Sequence, residues 1–306
     1  MLLPIDHGNK QIKSATSTFV SGLLESDTRP PIGEDILKYR NKYYTLSEQR
    51  IPYMRDKTVN NKFFILTLFA IAYEIEKAGM YSEDEIIDIQ LLIGLPPAHY
   101  GSQFKRFERY FANDGDIIDF NFRNKPYSIY ISEVVAFPQA YAAVMPVFSR
   151  IRNIPKATVI DIGGFTADYL QIKYGQADLS ICDSLENGVI VLYNQIKSKV
   201  NADHDLLLEE SDIDSVLQDK DTDFSESVIR IINQQAQAFV NDLIGKLRER
   251  MIDLRSGKAV FVGGGSILLK KYIEDSDRIG HVIFVDEINA NAKGYELLYK
   301  IQKVSG

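Results

Sequence analysis

Residues 157–170 read ATVIDIGGFTADYL, and the order of residue types in this stretch decides the fold. Ala157 to Asp161 reads as an apolar strand, Gly163-Gly164 as a turn and Asp168 to Tyr174 as a returning strand; Gly175 then leads into a further strand to Ile181. The N-terminus shows the same order. LLPID is followed by His7-Gly8-Asn9-Lys10 and then by QIKSATSTFV, so two hairpins are each entered through a strand-terminal aspartate, Asp6 and Asp161. A further strand, Lys258 to Val262, enters Gly263-Gly264-Gly265, and a helix begins at Ser266 and runs to Tyr272.

Glycine lets backbone N–H groups approach an anion closely, because no Cβ intervenes, so each of these turns can grip a phosphate chain. Two carboxylates facing a polyphosphate are what Mg²⁺ needs, directly or through its retained waters. Lys13 falls on the returning strand of the first hairpin, where its ammonium can reach phosphate oxygens as a point charge. Taken singly, each turn reads first as a common hairpin connection and only second as a phosphate loop, and hydrogen bonding at a strand end is the plain alternative for each aspartate. Their combination favours a nucleotide site. That site is neither a P-loop nor a Rossmann crevice, since GxxxxGK[ST] is absent and no GxGxxG opens a helix after the first strand.

The rest of the chain is consistent with a mixed α/β protein. Its 306 residues are 45% hydrophobic and 25% charged, enough for one large core or two smaller ones. The formal net charge of −7 supplies no basic field, so direct binding of DNA or anionic lipid is not expected. Cys182, the single cysteine, can form no internal disulfide, and no Cys/His cluster has zinc spacing, which suits a reducing compartment. Asp6 interrupts the N-terminus before a signal-peptide core could form, so a cytoplasmic protein that begins directly with folded chain is expected. Phe63 to Tyr73 is too short for the ~20 residues of a membrane span and reads as part of a buried helix from Asn60 to Lys77. Residues 25–62, polar and tyrosine-rich with Pro30-Pro31 and Gly33, read as loops and short edge strands rather than core. Strands are expected at Ile87 to Gly94 and as a pair over 117–131, and helices over 102–112, 186–200, 224–254 and 289–303. Residues 203–223 read as an acidic solvated face.

Three motifs resemble those of the actin superfamily, which also contains heat-shock chaperone ATPases and sugar kinases, and the match is best to bacterial ParM-like plasmid-segregation actins. Asp6 to Lys13 (DHGNKQIK) resembles the phosphate 1 motif, Asp161 to Asp168 (DIGGFTAD) the phosphate 2 motif, and Val262 to Ile267 (VGGGSI) the adenosine motif, all in the family's order. His7 and Asn9 occupy positions that are often small or hydroxylic in that family. Val134 to Val144 (VVAFPQAYAAV) lies where the family places its first connecting helix, and Asn289 to Tyr295 (NANAKGY) resembles the closing helix of ParM-like proteins. The resemblance implies an actin-like ATPase fold. It comprises two related α/β domains with a βββαβα core, residues 1–150 with the final helix 289–306 and residues 155–288, and a cleft between them for ATP (GTP being the alternative) and Mg²⁺.

Carried over residue by residue, the resemblance implies that Asp6 and Asp161 hold the hydrated metal and that Lys13 contacts the phosphates. Backbone groups of Gly8, Asn9, Gly163, Gly164, Phe165 and Thr166 would wrap them. Gln139 aligns with the residue that orients the attacking water; its plain alternative is an amide at a helix N-terminus, with Pro138 in the first turn. Asp168 would order the hairpin or the metal's outer shell. Gly263, Gly264 and Gly265 would carry the adenosine, with Ser266 as helix cap or nucleotide contact, and Glu186, Asn187 and Gly188 would lie near ribose and base. Of the histidines, only His7 lies near this chemistry. Tyr39, Tyr43, Tyr44 and Tyr53 form either a filament contact or a loop packed on its own domain. The function implied is a self-assembling ATPase filament that segregates plasmid DNA through a ParR-type adaptor, with no membrane partner. The alternatives are a non-polymerising ATPase of the same fold, chaperone-like or kinase-like, and a nucleotide-binding scaffold with little turnover.

Overall fold

The structure, a computed structural model, describes residues 1–305. The chain divides into two compact units, Met1–Met145 together with the stretch from Asn289, and Pro146–Ile288.

The first unit opens with β1 (Leu2–His7), β2 (Gln11–Ser14), β3 (Thr18–Val20), β4 (Leu23–Ser26), β5 (Ile36–Tyr39) and β6 (Lys42–Leu46). It continues with α1 (Lys62–Lys77), β7 (Ile86–Leu95), α2 (Pro97–Ala112), β8 (Ile118–Phe122) and β9 (Lys125–Pro138). Its sheet has the order β3-β2-β1-β7-β9-β8-β5-β6-β4. β1, β7 and β9 are parallel, so their C-terminal residues His7, Leu95 and Pro138 come out at one edge. The two ends of the order, β3 and β4, are consecutive in the chain, and Ser47 and Ile51 donate backbone hydrogen bonds to Gly22 and Ser21 between them. The sheet therefore bends round and encloses α1. This explains why α1 is apolar on nearly every side, from Phe63 to Ile75, instead of carrying one stripe. Its one buried carboxylate, Glu74, accepts hydrogen bonds from the Ser14 and Thr16 hydroxyls and from the Thr16 N–H.

Two expectations change here. Residues 25–62 contribute β5, β6 and the end of β4 to the sheet, and Ile36, Leu37, Tyr39, Tyr44 and Ile51 are core; their short alternating runs are hidden in polar sequence. Val134 to Val144 is not a helix. β-Branched Val134 and Val135 and aromatic Phe137 continue β9, paired with Leu91, Leu92 and Gly94 of β7, and the chain then enters a 3₁₀ stretch, Ala142–Arg150, interrupted by Pro146.

The second unit contains β10 (Ala157–Ile162), β11 (Ala167–Lys173), β12 (Gln176–Leu185), α3 (Val189–His204), α4 (Glu210–Leu217) and α5 (Glu226–Glu249). β13 (Lys258–Val262), α6 (Gly264–Leu268), α7 (Lys270–Glu274) and β14 (His281–Phe284) come next, and the sheet order is β12-β11-β10-β13-β14. α5 buries Ile232, Phe239, Leu243 and Leu247 in a core with Leu192 and Ile196 of α3 and Phe261 of β13. The acidic stretch 203–223 is more than a solvated face. It contains α4, which is held by a reciprocal capping box between Glu209 and Asp212 and buries Ile213, Val216 and Leu217. The helix expected over Ser266 to Tyr272 is two short helices that meet at Leu269.

The final helix, α8 (Ala290–Ser305), packs against β1 and β7 of the first unit. Tyr295 stacks on Phe137 with ring centroids 6.0 Å apart, and a Cβ at Gly94 would fall on the Tyr295 ring. A Cβ at Gly294 would stand 1.9 Å from the Ala142 carbonyl oxygen, so helix and backbone meet at a distance only glycine permits. Gly294→Ala is therefore expected to cost about 1–3 kcal/mol by overpacking. Urea unfolding should show the loss, and limited proteolysis should cut α8 earlier than in the wild type.

Candidate functional site

In the first unit the site is built on the edge where β1 and β9 end. Asp6 lies opposite Lys13 in the β1–β2 ladder, and its carboxylate is 4% exposed. It accepts a 2.7 Å hydrogen bond from the Gln139 side-chain nitrogen and lies 3.6 Å from the Lys13 ammonium. Gln139 is placed by the turn after β9. Its N–H donates to the Leu95 carbonyl, and the next residue, Ala140, adopts φ 59° with its N–H donated to the Asn291 side chain of the same unit. Non-glycine backbone in that region is costly, so the turn is held by its surroundings. The expected helical setting of Gln139 is corrected: Pro138 ends a strand, and the amide is presented from a strand-end turn. With its nitrogen committed to Asp6, the amide keeps its oxygen as an acceptor for another donor.

His7 is on the opposite face of β1, as strand alternation requires. It is fully buried, its Nε2 pairs with the Thr67 hydroxyl at 2.8 Å, and its ring stacks on Phe111 at 4.6 Å between centroids. Burial first, then the Lys57 charge, holds its pKa well below the usual 6.5, so it is a neutral core residue and not part of the chemistry. Asn9 accepts a 3.1 Å hydrogen bond from the Met54 N–H, which ties the hairpin to the neighbouring loop. A Cβ at Gly8 would stand 2.6 Å from the Gln11 carbonyl oxygen. Sequence reasoning missed Lys57, whose buried ammonium donates to the His7 carbonyl, because it stands in a stretch that reads as loop.

In the second unit, Asp161 and Asp168 are opposite one another across β10 and β11, and both are buried. The Gly163 N–H closes the hairpin on the Thr166 carbonyl at 2.8 Å, and the Thr166 hydroxyl donates to Asp168 at 3.2 Å. Phe165, Gly163 and Gly164 direct their carbonyls to the N–H groups of Gly188, Val189 and Ile190, at the start of α3. The orphan donors of that helix start are satisfied by the hairpin itself. Gly263, at φ 87°, begins α6, and a Cβ there would stand 2.2 Å from the Asp161 carboxylate. The glycine turn after β13 and the aspartate of β10 are thus fitted to each other. Gly265 is equally confined, by Ile162, whereas a Cβ at Gly264 would meet only Ile288 at 3.9 Å. Ser266 does not cap: it is buried, with its hydroxyl donated to the Val262 carbonyl at 2.5 Å. Glu186 is exposed at the entrance to α3; Asn187 is buried, accepts from Lys246 at 2.6 Å, and leaves its side-chain nitrogen without a hydrogen-bond partner.

Among the described residues no three His, Cys, Asp or Glu side chains gather as a metal cage. A cation here would depend on phosphate oxygens and water for much of its shell, the usual situation of Mg²⁺. No helix among the described residues is long and apolar enough to cross a membrane.

Comparison with known proteins bears on the fold. The profile of the actin-like proteins' N-terminal domain matches residues 5–141, and that of the archaeal actin homologue MreB-like C-terminal domain matches residues 159–275. Several solved structures share the fold. The archaeal actin homologue Ta0583 in complex with ADP is 16% identical with TM-score 0.71, covering 98% of this chain and 99% of that one. Bacillus thuringiensis ParM with AMPPNP is 14% identical with TM-score 0.68, covering 99% of each chain. The AlfA filament bound to AMPPNP is 15% identical with TM-score 0.67, covering 100% of this chain and 98% of that one. No protein of curated function matches the sequence. The chain belongs to the actin superfamily and has the actin-like α/β fold.

The neutral burial of His7 sets a pH dependence. The unfolded chain takes up a proton near pH 6.5 and the folded chain does not, so the stability from this site is complete above about 6.5 and falls as pH is lowered. Melting temperature followed from pH 7.5 to 5 should drop more steeply for the wild type than for His7→Phe. Parallel curves would contradict the buried neutral state.

Proposed function

We propose that the chain binds and hydrolyses ATP with Mg²⁺ and assembles into actin-like filaments, with the two compact units serving as domains I and II of the fold. The observation that carries this reading is the treatment of the two strand-end aspartates. Asp6 is clamped by Gln139 and Lys13, and Asp161 has its clearance guaranteed by Gly263. Buried carboxylates held in this way are costly for folding alone and suit a site where a charged ligand completes them.

Phosphoryl transfer to water asks the protein to hold the phosphates, neutralise charge and align the water. The partly exposed Gly163–Thr166 hairpin turns its backbone toward the phosphates, with the Gly163 N–H closing the turn on Thr166 and the carbonyls of Gly163, Gly164 and Phe165 committed to α3. Gly8 and Asn9 do the same from the first hairpin, and Lys13 adds positive charge. Asp6 and Asp161 are the residues that would hold Mg²⁺ through water, and the ion when bound would neutralise developing phosphate charge. Gln139, its nitrogen fixed by Asp6, accepts a hydrogen bond from the attacking water through its oxygen. Asp168 keeps the hairpin in place through Thr166. Gly263, Gly264 and Gly265 let the adenosine lie against backbone, beside Ser266, with Glu186 toward the ribose. GTP is the alternative nucleotide.

Filament assembly is supported by the shared fold with AlfA, which has been solved as an AMPPNP-bound filament. The net charge of −7 favours cargo capture through a ParR-type adaptor over direct DNA contact, and segregation of plasmid DNA from within the cytoplasm is the role we assign. Gln139→Ala should lower the rate of phosphate release about 10²-fold, the scale of a misplaced reactant, while nucleotide affinity stays within about threefold of wild type. Unchanged release removes the water-orienting role of Gln139, and a wild type that releases no phosphate contradicts the ATPase reading.

A further inference from the structure

A cavity of about 350 Å³ opens in the first unit beside the β5–β6 turn. One wall is aromatic and the rest, with Asn61 and Asn113, is polar: Tyr39, Tyr44 and Phe64 are buried, and Tyr110 closes the side with its hydroxyl accepting from the Phe64 N–H and donating to the Asn60 carbonyl, each at 2.8 Å. These contacts fix the rings, so the cavity keeps its shape without an occupant. Arg40 and Lys42 stand at its mouth, and no carboxylate lines it. Arg40 and Asn41 have φ 47° and 64°, a tight turn that sets the Arg40 guanidinium 5.1 Å from the Tyr39 ring centroid. Lys42 is paired with Glu25, whereas no carboxylate among the described residues pairs with Arg40.

The second unit presents the opposite surface. Between α3 and α4 runs Leu206-Leu207-Leu208. Leu208 is buried and Leu206 partly buried in that unit's core, so the segment is anchored on both sides of Leu207, which is 83% exposed. Asp205, in the left-handed region at φ 50°, ends α3, and Glu209 begins α4; both are exposed. One apolar side chain is thus held out rigidly between two carboxylates. An isolated exposed leucine needs no explanation, but one anchored from both sides and flanked by like charges is a preformed plug.

We propose that Leu207 of one copy of this chain seats in the aromatic cavity of a second copy, with Asp205 and Glu209 against Arg40. The inference rests on the self-assembly proposed above and names one contact through which it occurs. The aromatic wall and the charge sign of the rim are complementary to the leucine and its flanking carboxylates, and the cavity has room to spare for one leucine side chain. Because plug and socket are different surfaces of the same chain, the contact is heterologous and propagates in place of closing on itself. It also accounts for the tyrosine-rich stretch: Tyr39 and Tyr44 build the socket from inside the core.

The test is the critical concentration for sedimentation with Mg-ATP. Leu207→Asp, Arg40→Glu and Asp205→Arg should each raise it by about tenfold or more, the scale of a central interface residue. Leu207→Met should leave it near the wild-type value. The double variant R40E/D205R should recover most of the loss, because the exchanged charges again attract; a merely structural effect of either substitution would not be rescued. Melting temperature and nucleotide affinity should be unchanged for the Leu207 and Arg40 variants, whose altered side chains are exposed, and Asp205→Arg, at a left-handed position, should lose no more than a few degrees with nucleotide affinity unchanged. Wild-type critical concentrations for L207D and R40E, or a double variant no better than its parents, overturn the contact alone. A wild-type chain that sediments under no nucleotide condition overturns the filament reading and this contact with it.

Discussion

The buried carboxylate of Asp6 ties separate elements of the first unit together. A charge at 4% exposure must be paired and hydrogen-bonded, and the residues that do this come from different elements: Lys13 from the returning strand and Gln139 from the turn after β9. Meeting that requirement fixes the register of β1 on β2 and the conformation of the Gln139-Ala140 turn. Through the Ala140 N–H and Asn291 it also fixes the start of the helix that closes the chain. Asp161 imposes the same kind of constraint in the second unit by a different route. There the backbone gives way: Gly263 has no Cβ, and the carboxylate occupies the space that one would fill. Burying two such groups is unfavourable in a core and suits a site that receives a charged ligand.

The same constraints explain where this chain departs from the usual phosphate 1 pattern. His7 alternates away from Asp6 into an aromatic core of Phe107 and Phe111, so its size does not intrude on the hairpin. Asn9 uses its side chain as an acceptor for the Met54 N–H, a structural duty that a hydroxyl of shorter reach would not perform in the same way. What remains at the hairpin tip is backbone, the part that the proposed phosphate contact requires.

The elements legible in the sequence were those whose local chemistry and tertiary setting agree. Asp161, Gly163-Gly164 and Asp168 read correctly as a hairpin because strand propensity, turn chemistry and register point the same way. α1 read correctly because an enclosed helix is apolar all round. What escaped was decided by partners far away in sequence. β5 and β6 are four and five residues long, and only pairing with β8 and β4 and packing on Phe64 makes them core. Val134 to Pro138 continue as strand because β7 offers a parallel neighbour up to Leu95. α4 is acidic on the outside and carries only three buried residues, too few for periodicity to outweigh charge. The candidate site is read from the sequence as residue types only, whereas the Gln139–Asp6 bond, the strand-end setting of Gln139 and the Lys57 contact to the His7 carbonyl required the fold.

Nucleotide and assembly are coupled in this reading: a nucleotide held by these hairpins drives polymerisation of the chain. Right-angle light scattering of the purified protein tests it most directly, on addition of Mg-ATP, of Mg-ADP, or of ATP with a chelator. A rise with Mg-ATP that decays as phosphate is released, and no such rise with the chelator, is the predicted result. Scattering that stays flat with Mg-ATP at every concentration, while phosphate is released, would contradict it and leave a non-polymerising ATPase of the same fold.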